Sequence, residues 1–208
     1  MNLKKNYDRK YKNKSLNLSP HFNNQFNYLL KLSKKKIKGT VLDLGCGTGE
    51  YSLRFQEMGY DVVGMDISKV GILKAKKRGV KKVKLGDFLN TNIKEKFDCI
   101  FVKGFSPLNT SDLSIFKKVV NKLDKMLSIN GVIFYWGITN FKKSYSNSGW
   151  FNWDPKDLDS VLRIHILFIF RWQSYLPIKI NNVISKILRY LKPSFRPCTM
   201  VGYRFKQK

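Results

Sequence analysis

Eleven residues, TVLDLGCGTGE from Thr40 to Glu50, constrain the fold of this chain more than any others. Val41, Leu42 and Leu44 surround a single acid, Asp43, and glycines follow at 45, 47 and 49. A short apolar run bounded by glycine reads as a strand buried on both faces. Glycine at alternate positions frees the backbone to take positive φ and to let another group approach closely. A buried strand that turns on glycines into a helix opens an α/β unit, whose ligands sit at the carboxyl ends of the strands.

The downstream pattern agrees with that opening. Helical spacing follows from Gly49 to Met58, then a second apolar strand from Asp61 to Met65. Ser68 is placed to cap a helix running to about Lys77, which Gly79 ends. Val83 to Leu85 and Phe97 to Val102 read as the third and fourth strands. Ser111 is expected to cap an amphipathic helix carrying Leu113, Phe116, Val119, Val120, Leu123 and Leu127 on one face. Asn130-Gly131 reads as the turn into a fifth strand, Val132 to Trp136. Strands that alternate with helices and are apolar throughout imply a parallel sheet covered on both faces. Before this core, residues 1 to 19 read as an arm or short helix, and Ser19-Pro20 as the start of a helix to about Lys34. After it, 140 to 152 reads as a long loop, Asp154-Pro155 as a helix start, and Ile164 to Trp172 as a strand. A basic amphipathic helix ends at Leu191, before Pro193, and Thr199 to Phe205 reads as the last strand.

The glycines alone leave two ligand chemistries open. A dinucleotide turn wants G-x-G-x-x-G, whose third glycine lets the helix close on the strand. Here the spacing is G-x-G-x-G and the sixth position is Glu50, an acid that a pyrophosphate would not welcome. The acids decide further. The chain has only 14, yet Asp43, Asp66 and Asp87 stand at strand ends about twenty residues apart. Acids there suit ribose hydroxyls, an amino group and a positively charged ligand. The set resembles the class I S-adenosylmethionine-dependent methyltransferases. VLDLGCGTGE is similar to their first motif, VVGMDIS to the second, LGDFLN to the third, and FDCIFVKG to their fourth strand.

The resemblance covers about residues 37 to 138 and implies the rest of the reading. The fold would be a Rossmann-like, seven-stranded, mostly parallel α/β sheet with an antiparallel last strand and helices on both faces. The whole of 1–208 would be one domain. Its parts would be an arm and helix over 1–35 acting as a lid, a cofactor-binding core over 37–138, and a substrate-side segment over 139–208. The cofactor would be S-adenosyl-L-methionine. Asp43 and the turn of Gly45, Gly47 and Gly49 would hold its methionine end. Asp66 would take the ribose and Ile67 would pack on the adenine. Asp87 would bond the adenine amino group beside Phe88, and Lys103 would line the methionine side. No metal is implied. The reaction would be methyl transfer to an oxygen or nitrogen of a small molecule or sugar unit.

The chain departs from the base-modifying amino methyltransferases after strand four. It reads GFSPLNT from Gly104, without the N/D-P-P-Y/F that would accept hydrogen bonds from a base amine. The net charge of +26 argues the other way, for an RNA acceptor or a non-catalytic RNA- or membrane-binding scaffold. Only 8 of the 40 basic residues are Arg, however, and Ala75 is the single alanine. That profile fits an AT-rich genome choosing Lys codons better than a surface selected for phosphate forks. Nucleic acid is therefore the disfavoured partner. The basic helix near 182–191 reads either as a helix packed on its own sheet or as one lying on an anionic membrane surface. The polar first thirty residues and the unpaired Cys46, Cys99 and Cys198 point to a cytosolic protein. For a general base the sequence offers His21, Tyr7 and Tyr11 and does not choose among them. Trp150, Phe151 and Trp153 read equally as a substrate wall or a core plug. Asp87 reads also as a turn residue, and Lys103 as a solvated lysine.

Overall fold

The computed structural model describes residues 3–12, 26–27, 39–139, 144–145, 149–153, 157, 160–161, 165–169, 177, 180, 183–184, 187 and 198–205. Most of the expected helices starting at Ser19 and Asp154 and of the one near 182–191 lies outside them, as does His21, whereas Phe26, Asn27, Asp157, Ser160 and Val161 are described and helical.

The strands are β1 (Thr40–Leu44), β2 (Asp61–Asp66), β3 (Lys82–Leu85), β4 (Phe97–Lys103) and β5 (Leu127–Thr139). Later come β6 (Ser144–Tyr145), β7 (Phe151–Asn152), β8 (His165–Ile169) and β9 (Cys198–Phe205). The helices are α1 (Leu3–Lys12), α2 (Glu50–Glu57), α3 (Lys69–Lys77) and α4 (Leu113–Met126). The large sheet has the order β3-β2-β1-β4-β5-β9-β8. Its first five strands are mutually parallel, and β9 runs antiparallel to both β5 and β8. The chain reverses its direction of travel across the sheet between β1 and β4, which opens a crevice at their carboxyl ends.

Alternation along the strands builds the two cores. Leu42, Leu44, Ile100, Val102 and Ile133 face α4, whose Phe116, Val119, Val120 and Leu123 are buried against them. Val41, Cys99, Phe101, Val132 and Phe134 face the opposite way, toward Tyr51 and Phe55 of α2 and toward Phe26. Each face of the parallel block therefore carries a helix, and β1 is buried on both sides from Val41 to Leu44. Asp43 shares the face of Val41, so the same alternation sends its carboxylate toward α2.

The structure corrects three local expectations. The cap of α4 is Asp112, not Ser111: its Oδ1 accepts from the amides of Ser114 (2.7 Å) and Ile115 (3.3 Å). A carboxylate at a helix N-terminus meets both the free amides and the helix dipole, which a hydroxyl does less well. Asn130-Gly131 does not start β5. The strand begins at Leu127, and the pair forms an irregularity within it, with Asn130 at φ 64°. Finally, the segment expected to be all loop contains a two-stranded antiparallel ribbon, Ser144 opposite Asn152 and Tyr145 opposite Phe151.

Candidate functional site

The glycine turn sits at the end of β1 with Gly45, Gly47 and Gly49 at φ 77°, 56° and 81°. Such angles are costly for a side chain bearing Cβ. The three glycines have different neighbours. A Cβ on Gly47 would lie 2.8 Å from the Tyr11 hydroxyl. A Cβ on Gly49 would lie 2.9 Å from the Ala75 Cβ and 2.8 Å from Val80. Gly47 thus lets α1 close over the turn, whereas Gly49 lets α2 start directly against α3. Of the residues expected to touch a cofactor, Gly49 is the one that faces into the packing rather than into the cleft.

Two buried acids hold the turn from below. Asp66, at the end of β2, accepts from the Gly47 amide through Oδ2 and from the Ser68 amide through Oδ1, both at 2.8 Å. Burial raises its pKa and these amides oppose the rise. Asp43 accepts from the Ser52 hydroxyl at 2.6 Å. Burial pushes its pKa up to about 7, against the bond from Ser52 and with help from the nearby Asp66 and Glu50 charges. Ser52 was not singled out in the sequence: a serine one helical turn past a glycine loop carries no signal of its own. Glu50 is also buried, with its Oε1 accepting from Thr48 Oγ1 at 2.8 Å and 3.5 Å from Arg78.

Helix α1 roofs the cleft. Asp8 Oδ1 accepts from the Ser68 hydroxyl (2.5 Å) and the Val70 amide (3.1 Å) at the start of α3. Lys74 donates to the carbonyls of Tyr11 (2.5 Å) and Lys12 (2.9 Å) at the other end of the contact. Tyr7 and Tyr11 stack with centroids 5.8 Å apart, and Tyr7 shares a 2.5 Å hydrogen bond with Ser106 after β4. Tyr11 is buried, and burial beside Asp66 pushes its phenol well above the usual range, so it keeps its proton at neutral pH.

Beneath this roof the cleft has two connected chambers. The first spans ≈ 460 Å³ with its mouth included and is lined by Gly45, Asp66, Ile67, Asp87 and Phe88, with Tyr7, Tyr11 and Phe105 above and beside them. Asp87 stands at its rim and uses its carboxylate on its own turn, accepting from the Leu89 amide (3.0 Å) and Asn90 Nδ2 (2.7 Å). Phe88 is buried, edge-on to Phe105. Lys122 fixes this turn from α4 by donating to the carbonyls of Phe88 (2.5 Å), Leu89 (2.9 Å) and Thr91 (3.0 Å).

The second chamber, ≈ 1310 Å³ with its mouth included, shares Tyr7, Tyr11, Gly45 and Phe105 with the first. It adds Asp43, Gly47 and Glu50 on the turn side, and Tyr51, Tyr135, Trp136, Trp150, Phe151 and Asn152 on the far side. Lys103 enters it with its ammonium 4.8 Å from the ring centres of both Tyr51 and Trp136. That is a cation–π sandwich rather than a freely solvated lysine. Phe151 and Trp150 line the chamber, while Trp153 is buried in the α4 core, edge-on to Phe116. The aromatic segment is therefore wall at one end and plug at the other.

Asp43, Gly45, Gly47, Asp66, Ile67, Asp87, Phe88 and Lys103 all line this cleft. Four of the chain's 14 acids, Asp43, Glu50, Asp66 and Asp87, do so in a protein of net charge +26. An acid-rich crevice in so basic a molecule suits a ligand carrying positive charge. Among the described residues no cluster of three or more His, Cys, Asp or Glu is placed to hold a metal, and no helix is long and apolar enough to cross a membrane.

Comparison with known proteins fits this geometry. Residues 35–194 match a family model described as a methyltransferase domain. A stretch of 32 residues is 56% identical to the putative methyltransferase YqeM of Bacillus subtilis (strain 168), covering 15% of this chain and 13% of that protein. Among solved structures, the N-methyltransferase NodS from Bradyrhizobium japonicum WM9, in complex with S-adenosyl-L-homocysteine, superposes with a TM-score of 0.69. The identity is 14%, with all of both chains covered. The plantazolicin methyltransferase BpumL, in complex with a desmethylplantazolicin analogue and S-adenosylhomocysteine, gives 0.66 at 15% identity, covering 98% of this chain and 91% of that one.

Proposed function

The chain belongs to the methyltransferase domain family, and on that premise we propose that it transfers the methyl group of S-adenosylmethionine to an oxygen or nitrogen of a small molecule. The observation that carries the reading is the glycine turn pinned by Asp66 on Gly47, with buried Asp43 behind it, in an acid-rich cleft.

The cofactor's parts match the two chambers. Asp66, which accepts from the Gly47 and Ser68 amides, would turn its remaining lone pairs to ribose hydroxyls. Ile67 and Phe88 offer apolar walls for the adenine, and Asp87 a carboxylate at the rim for its amino group. Asp43, Gly45 and Gly47 face the methionine end, with Lys103 across from them. When bound, the cofactor would supply an electrophilic methyl carbon on a positively charged sulfur, and the electrons of the broken C–S bond would leave with the neutral thioether S-adenosylhomocysteine.

The chain's own residues then act by position. The turn amides and buried acids fix the donor end. Tyr7, Tyr11 and the rest of α1 close the roof and exclude water, which preserves alignment and strengthens charge interactions inside. Tyr11 holds its proton and so is no base. On this reading the chain is one domain in which α1 covers the glycine turn of the α/β core. A small acceptor fits this space better than RNA, because α1 and the segment from Trp150 to Asn152 line it beside the turn.

Calorimetric titration with S-adenosylmethionine and S-adenosylhomocysteine, with NADH as control, tests this. Micromolar binding of both sulfur nucleotides is expected, none of NADH, and a loss of about 100-fold or more in Asp66→Ala. Absence of binding by either sulfur nucleotide refutes the reading.

A further inference from the structure

Lys122 is unlike the other lysines of α4. It is half-buried, whereas Lys117, Lys118 and Lys125 are exposed. Its ammonium has three N–H donors and gives them to three carbonyls of one turn, those of Phe88 (2.5 Å), Leu89 (2.9 Å) and Thr91 (3.0 Å). The same ammonium lies 4.8 Å from the centre of the Phe88 ring. The helix that carries it is fixed in the core by Phe116, Val119, Val120 and Leu123. Codon bias fills exposed positions with lysine and gives no reason for one ammonium to meet three oxygens.

The other ends of these peptides lead to Asp87. A peptide group is planar and every one here is trans, so its N–H points opposite to its carbonyl. The peptide between Phe88 and Leu89 has its oxygen on Lys122 and its N–H on Asp87 Oδ1, at 3.0 Å. The next, between Leu89 and Asn90, has its oxygen on Lys122 and its N–H on the Asp87 carbonyl, at 3.1 Å. Asn90 also donates through Nδ2 to Asp87 Oδ2 at 2.7 Å. Both carboxylate oxygens of Asp87 are thus held by Leu89 and Asn90, the residues that close those two peptides. The Asp87 carbonyl itself turns inward, to the amides of Asn90 and Thr91 and to the Thr91 hydroxyl. The Phe88 N–H, on the opposite side of that peptide, is therefore directed out of the turn. Asp87 and Phe88 line the first chamber, and Lys122 stands behind them.

We propose that Lys122 is the positioning residue for base selection: acting through the Phe88–Leu89 and Leu89–Asn90 peptides, it aims the Asp87 carboxylate and the Phe88 amide so that the first chamber takes adenine and rejects the 6-oxo base hypoxanthine. The inference rests on the methyl-transfer reading and deepens it at the base end of the cofactor. Adenine offers an amino donor to a carboxylate and a ring-nitrogen acceptor to an amide. Hypoxanthine reverses both, with an oxygen toward the carboxylate and an N–H toward the amide. Such a double mismatch is rejected strongly only when the protein groups cannot swing aside. Leu89 and Asn90 are exposed, so the turn needs a tie to the core, and Lys122 supplies it.

The test is calorimetric titration with S-adenosylhomocysteine and S-inosylhomocysteine, which differ only in the base. The parent is expected to prefer the adenine compound about 100-fold or more. Lys122→Met keeps a long apolar stem and removes the donors. It should narrow that preference about tenfold, chiefly by weakening the adenine compound. Lys117→Met, at an exposed position of the same helix, should leave the preference unchanged. In an Asp87→Ala background Lys122→Met should have a smaller effect than in the parent, because a positioning residue acts through the group it positions. If Lys122→Met melts too low to titrate, Lys122→Gln, which keeps two donors, reads the same narrowing at smaller amplitude. A preference that survives loss of the ammonium, an undiminished effect in the Asp87→Ala background, or a parent that binds both compounds alike each overturns the proposal. A parent that binds neither compound overturns the methyl-transfer reading instead, so the two failures are distinct.

Discussion

The two chambers of the cleft are made in opposite ways. Around the first, polar groups answer one another: Asp66 meets two amides, Asp87 caps its own turn, and Lys122 ties three carbonyls. Around the second, aromatic rings supply the walls and two polar atoms are left unanswered. The contrast teaches where preorganisation ends. The turn is folded before any ligand arrives, because its own backbone completes its acids. The far side is held as well, through Asn109 and Trp153, but it seals the Asn152 Oδ1 and the Tyr51 hydroxyl away without a hydrogen-bond partner among the described residues.

Substitutions can break or sharpen that contrast. The largest effect is expected at Gly49, where a side chain meets both a positive φ and the Ala75–Val80 wall. Gly49→Val should cost about 2–4 kcal/mol in urea unfolding, since strain and overpacking add. A cost below 1 kcal/mol (about the scale of an ordinary surface change) would mean that the turn is looser than its contacts imply.

Next comes Asp43. Its pKa, raised to about 7 by burial, makes its charged form unfavourable in the folded protein. Because the folded value exceeds the unfolded one, this group's contribution to stability is full in acid and is lost as pH rises through about 7. S-adenosylmethionine, a net cation through its sulfonium and ammonium, favours the charged form, so its affinity should rise about tenfold between roughly pH 6 and pH 8. Asp43→Asn should flatten that slope and raise the melting temperature of the free protein at the upper pH. A slope unchanged in the mutant would remove Asp43 from the cofactor end.

A smaller effect belongs to the roof. Asp8→Ala removes the acceptor for Ser68 and Val70. It should cost about 1 kcal/mol, as loss of a cap does, and speed cofactor dissociation several-fold by stopped flow. Amide exchange in α1 should rise with it. The smallest change, and one of opposite sign, is expected at the far wall. Asn152→Leu deletes an unanswered polar atom and should leave the free protein as stable or about 0.5–1 kcal/mol more so. A clear destabilisation would show that Asn152 already has work in the empty chamber.

Sequence and structure meet unevenly across these regions. The turn and Asp43, Asp66 and Asp87 could be read because strand ends and glycine spacing are local signals. What faces each glycine could not, since Gly47 and Gly49 look alike in the chain and differ only in the Tyr11 and Ala75 contacts across the fold. Asn152 was invisible for a similar reason. A two-residue strand has no periodicity to detect, and nothing near 152 announces that Asn109, 43 positions earlier, grips its neighbour. Lys103 was legible in position and not in state, because the Tyr51 and Trp136 rings that receive it come from other elements. Asp112 took the cap expected of Ser111 because adjacent capping residues compete by local chemistry.

The hydroxyl of Ser68 accepts from the Gly71 amide at 3.0 Å and at the same time donates to Asp8. One atom therefore answers to two masters, a helix end and the roof above it. Most cap residues can be exchanged freely among Ser, Asp and Asn, but here the exchange is restricted. An aspartate at 68 would still cap α3, yet it would face Asp8 as one anion faces another. An asparagine would have to satisfy both geometries with a longer, stiffer group. Substitution at 68 is consequently tied to substitution at 8, and variants recovered from a random library that retain cofactor binding should change these two positions together or not at all.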